Sequence, residues 1–507
     1  MIAKRQFTSC SIPRLIGVLG ISLIIAVIIS LAHLFLFPSM LNQRAILHPV
    51  LLRNGFIPYQ HIPDQKAPLL PLFLSWTLPC FNHDAVANAR TIHFLLICTM
   101  IMMCMIWGYR WGGLWALGAT GIFLLTWSNA FGLWATVYYD MVLGVLYFLV
   151  FVLLARQISK PTVGRTGAIG LITGLAILTK QHAVVLLVPT TALLAWLLAT
   201  GRLVPRQFML LSLVYLVSLS FPIALFAWGY YRLAGSFQDL VYWTISFNLG
   251  PYPTEGAASA TPAQIIGILP AFLMLVPFVN SIIFPVEGMQ PARSVRFLLL
   301  LFLLLGALLV YPRYSSRHWA AAFPFIATLS GIACADLMAG WPQHKAAHNQ
   351  QSMVAAVILL WVAIIGLVYI PALKDPKPPR WAEYSELIEL ADTLRDRIPA
   401  QGRVVLLPTD EGNSNLHYIL GQFPPHYWLM NYPWWMNQVT ITRWLVTMEK
   451  EKPYTLLLFP GGTTLMSNYP EIGQYINDKY RLADTVEWGD GRVQIMFRLE
   501  PDLQPPL

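Results

Sequence analysis

Charge is what this sequence has least of. Only 11% of its 507 residues are Asp, Glu, Lys or Arg, where a soluble globular chain carries about 25%. Hydrophobic residues make up 56%. They gather in runs long enough to cross a bilayer, which takes ~20 residues per helix. This composition excludes a protein that is soluble throughout and indicates a polytopic membrane protein.

Other absences narrow the function. There is no G-x-x-x-x-G-K-[ST] phosphate loop, no H-E-x-x-H and no G-x-S-x-G, which disfavours an ATP-driven pump or a zinc protease. The five cysteines, Cys10, Cys80, Cys98, Cys104 and Cys334, form no C-x-x-C pair, so no disulfide framework or zinc site follows. Internal repeats and low-complexity tracts are missing too. The net charge of +9 does not point to nucleic acid, because Lys and Arg recur in short connections between apolar runs. That is the pattern of cytoplasmic loops.

What is present reads as about eleven spans, beginning near positions 15, 92, 113, 137, 167, 183, 207, 263, 296, 318 and 353. The first follows Lys4, Arg5 and Arg14 and is too long for a signal-peptide core, so it is read as an uncleaved span. Basic connections around Arg110, Arg156 to Arg165, Arg202 to Arg206, Arg293 to Arg296 and Lys345 fall inside. Connections rich in acids, prolines and aromatics fall outside. The N-terminus is then cytoplasmic and the C-terminus extracytoplasmic, in a cell (inner) membrane. After "PALKDPKPPR" the composition turns soluble. "YSELIELADTLRDRI" has helical periodicity, and "RVVLLP", "YTLLLF" and "VQIMFRL" read as short strands. The expected fold is an α-helical polytopic membrane domain over 1–372 and a small extracytoplasmic, periplasmic α/β domain over 373–507.

Polar residues collect at the outer face of this topology. "GFIPYQHIPDQKAPLLPLF" places Asp64 and Lys66 after the first span, where Pro68 and Pro71 suit the start of a short helix. Asp140 opens the fourth span, Lys180 lies between two apolar runs, and Arg313, Arg317 and His318 precede the tenth. Arg90 starts the second. Each has a plainer reading alone. Arg90, Lys180 and Arg317 can snorkel to headgroups, Asp64 and Lys66 can be a solvated loop pair, His318 can be an interface residue, and Tyr138, Tyr139, Trp134 and Trp319 can form an aromatic belt. A charge at bilayer depth costs at least ~2.5–3.5 kcal/mol and little at the interface. Two acids and several bases at one face nevertheless indicate a polar cleft.

These stretches resemble the polytopic GT-C glycosyltransferases. "NGFIPYQHIPDQKAPLLPLFL" is similar to that family's first outer loop, and "ARTIHFLL" to the start of its next span. "YYDMVLGVLYFL", "GLAILTKQHAVVLLVP" and "YPRYSSRHWAAAFPFIA" resemble its Asp-Met, Lys-turn and Arg-Tyr segments, in order, over roughly 40 to 330. The related branches are the protein O-mannosyltransferase-like, aminoarabinose-transferase-like and lipopolysaccharide-core-transferase-like enzymes. The resemblance implies inverting transfer of a sugar from a polyprenyl-phosphate carrier to an extracytoplasmic glycan, lipid or protein. Such a transfer needs a proton acceptor and cations at the departing phosphate; Asp64 and Asp140 are the candidates for base and sugar-positioning acid, and Lys66, Lys180 and Arg313 for phosphate ligands. Arg90, Tyr59, His318 and Arg317 would support them. No cofactor is required, and nothing in the residues calls for a divalent metal, though one is compatible. One feature departs from the family: the acid that usually follows the first span is missing from "FPSMLNQRAILHPVLLRNG", where Asn42 and Gln43 stand. An amide cannot accept the proton. A catalytically silent binder of lipid-linked sugars therefore stays open, as does a lipid or sugar transporter. The transporter would want inverted repeats and midplane polar residues.

Overall fold

The computed structural model describes residues 12–35, 42–128, 137–255, 259, 279, 293–310, 314–340 and 381–499, apart from 401, 411 and 490. The spans expected near 263 and 353, Lys345, the "PALKDPKPPR" linker and the 372/373 boundary lie outside the described residues. The described chain forms two compact units. One holds Met1–Met40, Arg90–Trp228 and Ala258–Pro379; the other holds Leu41–Ala89, Gly229–Ala257 and Arg380–Leu507.

The first unit is helical. Among the described residues four helices are long and apolar enough to cross a membrane: Ala85–Trp127, Tyr139–Ser159, Gln181–Ala199 and Pro205–Ala234. The first of them, which enters from the other unit, is two helices joined at Gly113, whose φ of 64° and ψ of −150° break the helical path. Only glycine takes that conformation cheaply, and it separates the apolar runs expected to begin near 92 and 113. Ile12–Phe35, Val163–Thr179, Arg293–Leu308 and Phe323–Gly340 are further apolar helices.

Small residues set how closely these helices approach, as membrane packing favours. A Cβ on Gly174 would lie 2.4 Å from the Leu219 carbonyl oxygen, and one on Gly144 would lie 2.7 Å from that of Ala320. The shared core includes Phe148, Phe151, Phe302 and Phe325. Arg296 and Asp336 pair between two of the helices.

The second unit contains a four-stranded sheet. Its strands are β1 (Val404–Leu407), β2 (Thr455–Leu458), β3 (Tyr480–Trp488) and β4 (Gly491–Arg498). Their order is β1-β2-β4-β3, with β1 parallel to β2 and the other pairs antiparallel. The Trp381–Arg395 helix lays Leu387, Leu390 and Leu394 against Val404, Leu457 and Ile495. Between β1 and β2 the chain runs through the Gln438–Glu451 helix, whose start is fixed by a reciprocal Asn437 and Thr440 capping box. The expected short helix after Pro68 is Leu69–Thr77.

Candidate functional site

Among the described residues most of the polar side chains singled out in the sequence fall into two clusters, one in each unit. In the helical unit Asp140 is the centre. Tyr138 is extended, so the Tyr139–Ser159 helix begins just before Asp140 and places its carboxylate in the first turn. The amide ends of a helix favour negative charge there. Lys180 ends the Val163–Thr179 helix in extended backbone, which turns its side chain inward. Its ammonium Nζ lies 2.7 Å from Asp140 Oδ1 and 3.3 Å from the Leu309 carbonyl oxygen. His318, in the Ser316–Ala321 turn, brings Nδ1 to 2.8 Å from Asp140 Oδ2. That turn approaches because Gly144 faces Ala320 and Gly306 faces Ala322 without side chains.

Asp140 is fully buried and Lys180 is 2% exposed. Lys180 therefore does not snorkel; it is half of a buried ion pair. Arg317 stacks its guanidinium 4.6 Å from the Tyr138 ring centre. Tyr138 and Tyr139 are themselves buried, so they do not form a lipid-facing belt. Arg90 is half-buried near the start of the Ala85–Trp127 helix. Arg313 lies outside the described residues.

The second cluster explains the run Asp64, Gln65, Lys66: each side chain has its own partner. Arg44 holds Asp64 in a two-pronged grip, Nε at 2.7 Å from Oδ2 and Nη2 at 3.2 Å from Oδ1. The Lys66 N–H donates to Oδ1 at 3.0 Å, and His48 Nδ1 stands 3.8 Å from Oδ2. The Trp435 indole N–H donates to the Gln65 side-chain oxygen, and the Gln65 backbone carbonyl oxygen accepts from the Asn248 side-chain amide. Lys66 Nζ sits 5.9 Å from the Tyr252 ring centre. Tyr59 takes a left-handed φ of 65° and donates its hydroxyl to the Lys66 carbonyl oxygen at 3.0 Å.

Burial by itself would raise the Asp64 carboxyl. The charge of Arg44, that of His48 once acid protonates it, and the bonds from Arg44 and Lys66 outweigh it and hold the group below the usual carboxylate range. Burial pushes His48 down to about 4, so it is neutral near pH 7.

Arg44 and His48 were missed in the sequence. They lie in the stretch searched for a missing acid, and nothing local marks a cation twenty residues before its carboxylate. Asn42 stands where that acid was sought and accepts the Arg44 backbone N–H at 2.8 Å, while Gln43 Nε2 meets Met430 Sδ at 3.1 Å. Among the described residues no three His, Cys, Asp or Glu side chains group as metal ligands.

The chain is a multi-pass, largely helical membrane protein, and its fold is similar to that of solved membrane-protein structures. The crystal structure of ArnT from Cupriavidus metallidurans bound to undecaprenyl phosphate is similar over 96% of this chain and 98% of its own, at 14% identity and a TM-score of 0.59. Its apo state is similar over 95% and 98%, with a TM-score of 0.55. The arabinofuranosyltransferase AftD from Mycobacteria is similar over 94% of this chain and 41% of its own, at 12% identity and a TM-score of 0.50. At such identities the likeness concerns the fold. No family model matches the chain, and no curated protein matches it in sequence.

Proposed function

We propose that the chain is an inverting membrane glycosyltransferase that takes a sugar from a polyprenyl-phosphate carrier and passes it to a glycan, lipid or protein outside the cytoplasm. The observation that carries this is the fold likeness over 96% of the chain to a structure holding undecaprenyl phosphate. In the reaction the bond from the anomeric carbon to the carrier phosphate breaks, and its electron pair leaves with the phosphate. A bond to the acceptor oxygen forms, and the acceptor proton passes to a carboxylate.

Asp64 is the proposed base and Asp140 the sugar-positioning acid. Arg44 keeps Asp64 ionised but weakens it as a base. Its proton transfer therefore comes late, once bonding to the anomeric carbon has acidified the acceptor hydroxyl. Lys66, Lys180 and Arg313 are the proposed phosphate ligands, suited by charge to the departing anion. Two of the three Lys180 donors are occupied by Asp140 and Leu309. No cofactor enters the proposal.

One observation favours a second reading, a silent binder of lipid-linked sugars: both oxygens of Asp64 and of Asp140 are already engaged by cations or N–H groups. A transfer assay on purified protein with undecaprenyl-phosphate sugars decides between them. Asp64→Asn should lower turnover by ~10²–10⁴-fold while lipid binding persists. Near-normal rates in both Asp64→Asn and Asp140→Asn would remove the base assignment, and no wild-type turnover with retained lipid binding would favour the silent reading.

The proposed setting is the inner membrane, with the N-terminus cytoplasmic and the sheet-containing segment outside. A cysteine introduced at Asp410, which is exposed, should then react with impermeant reagents in cells whose outer barrier is permeabilised. Shielding there, with reaction only after lysis, would reverse the orientation.

A further inference from the structure

Three residues beyond the end of the Pro205–Ala234 helix the chain of the second unit borders a cavity of about 490 Å³. That is within the ~300–1,000 Å³ of ordinary small-ligand sites. Three aromatic rings line it, those of Phe237, Tyr242 and Tyr427. Beside them lie Asp239 and Arg443, joined as an ion pair, with Val439 at an exposed edge. None of these residues belongs to the clusters around Asp64 or Asp140.

The lining selects a chemical class. Asp239 and Arg443 cancel in charge, so the cavity offers no net attraction for a phosphate. The pair still presents carboxylate acceptor sites and guanidinium donors, which a purely apolar ligand would leave desolvated and unsatisfied. A saccharide ring meets both demands. Its C–H face lies on aromatic rings, and its neighbouring hydroxyls donate to the carboxylate and accept from the guanidinium.

Tyr427 is held for such a task. It is 5% exposed and takes a φ of 63°, a conformation that bulky residues adopt rarely and that recurs at ligand sites. The next residue fixes it: the Trp428 N–H donates to the His61 carbonyl oxygen at 2.8 Å. The Arg443 guanidinium lies 5.8 Å from the Tyr427 ring centre.

We propose that this cavity binds one neutral sugar ring of the acceptor, a reading that rests on the glycosyl transfer proposed above. Val439 and Phe237 are 58% and 43% exposed, so each tolerates change. Val439→Trp fills the cavity, and Phe237→Ala removes a stacking face.

The probes are methyl glycosides and, for comparison, methyl phosphate as the phosphate probe, followed by saturation-transfer NMR on the full chain in nanodiscs. Wild type should give a signal with one or more methyl glycosides and none with phosphate at this site. Both variants should weaken the glycoside signal, Phe237→Ala by about tenfold in affinity. In the transfer assay both should raise the acceptor KM and leave hydrolysis of the undecaprenyl-phosphate sugar by water unchanged. A glycolipid acceptor in the nanodisc and a soluble oligosaccharide serve as separate arms and tell which source supplies the ring. Glycoside signals equal in wild type and both variants, a signal with phosphate alone that the variants abolish, or no glycoside signal at all would overturn the cavity's assignment. Glycoside binding that the variants abolish, with no turnover of any lipid-linked sugar, would uphold the cavity and overturn the transferase.

Discussion

At the scale of single residues the helical unit turns on one buried carboxylate. Asp140 is fully buried between Lys180 and His318. Removing one partner of a buried ion pair costs ~3–5 kcal/mol, because the other charge is left in a poor solvent. Asp140→Asn should therefore lower the melting temperature in detergent as well as the rate. Lys180→Met on top of Asp140→Asn removes the stranded charge and should recover much of the stability, but not the transfer. If Asp140→Asn melts like wild type, the pair does not hold the helices. The polar residues themselves were legible in the sequence, because an acid and a lysine interrupt apolar runs. Their pairing was not: forty positions separate Asp140 from Lys180, and each alone could have met headgroups. Arg44 was less legible still, since an arginine in a polar loop carries no local sign of the carboxylate it grips.

At the scale of elements, the close approach of helix and turn decides whether His318 reaches Asp140. Gly144→Ala would put a methyl 2.7 Å from the Ala320 oxygen, a backbone atom that cannot swing aside. Overpacking of this kind costs typically ~1–3 kcal/mol and should move the turn off Asp140, so both stability and transfer should fall. Gly164→Ala is the control, because nothing lies within 4 Å of the added methyl, and it should be neutral or slightly stabilising. Equal behaviour of the two variants in melting and turnover would show that the Gly144 contact is slack. Elements were well marked where burial is strong. β1 and β2 are buried at every position and read as apolar runs, and the Trp381–Arg395 helix shows its leucine face. β3 left no such trace. It pairs only with β4, as an edge strand, and Arg481, Asp484 and Glu487 among its mostly exposed residues give no apolar alternation. Charge is a common device for protecting an edge, and it hides the strand from pattern reading.

At the scale of the whole molecule, the second unit is stitched from three distant segments, which the sequence does not disclose. The Asp64 loop bonds to the Arg380–Leu507 segment through His61 to Trp428 and Gln65 to Trp435, and Asn248 from the middle segment bonds Gln65 as well. Composition marks the last segment as soluble, yet its backbone and aromatic donors are spent on a loop more than three hundred residues earlier. This assembly contains buried imidazoles that make it sensitive to acid. Burial lowers His48 to about 4, with Asp64 opposing the shift, and lowers His417 to about 4, with the Gln422 carbonyl opposing it. In the unfolded chain each returns to about 6.5. Between those values the unfolded state binds more protons, so stability must fall as pH drops from about 6.5 to about 4. The full effect is on the order of 3 kcal/mol for each of these two histidines. Asp64 adds to it at still lower pH, since a carboxyl held below its usual range stabilises the fold above that range and loses this as it protonates. Melting of the purified protein, followed by tryptophan fluorescence, should shift steadily downward across this window. Replacing His48 and His417 together by Asn should reduce the slope there, with a remainder from half-buried His61, which burial also lowers to about 4, while leaving the steeper loss below about pH 4. A melting temperature that stays level in wild type from about pH 6.5 to 4 would mean that the two imidazoles are not held neutral, and that acid does not loosen the contacts which seat the Asp64 loop.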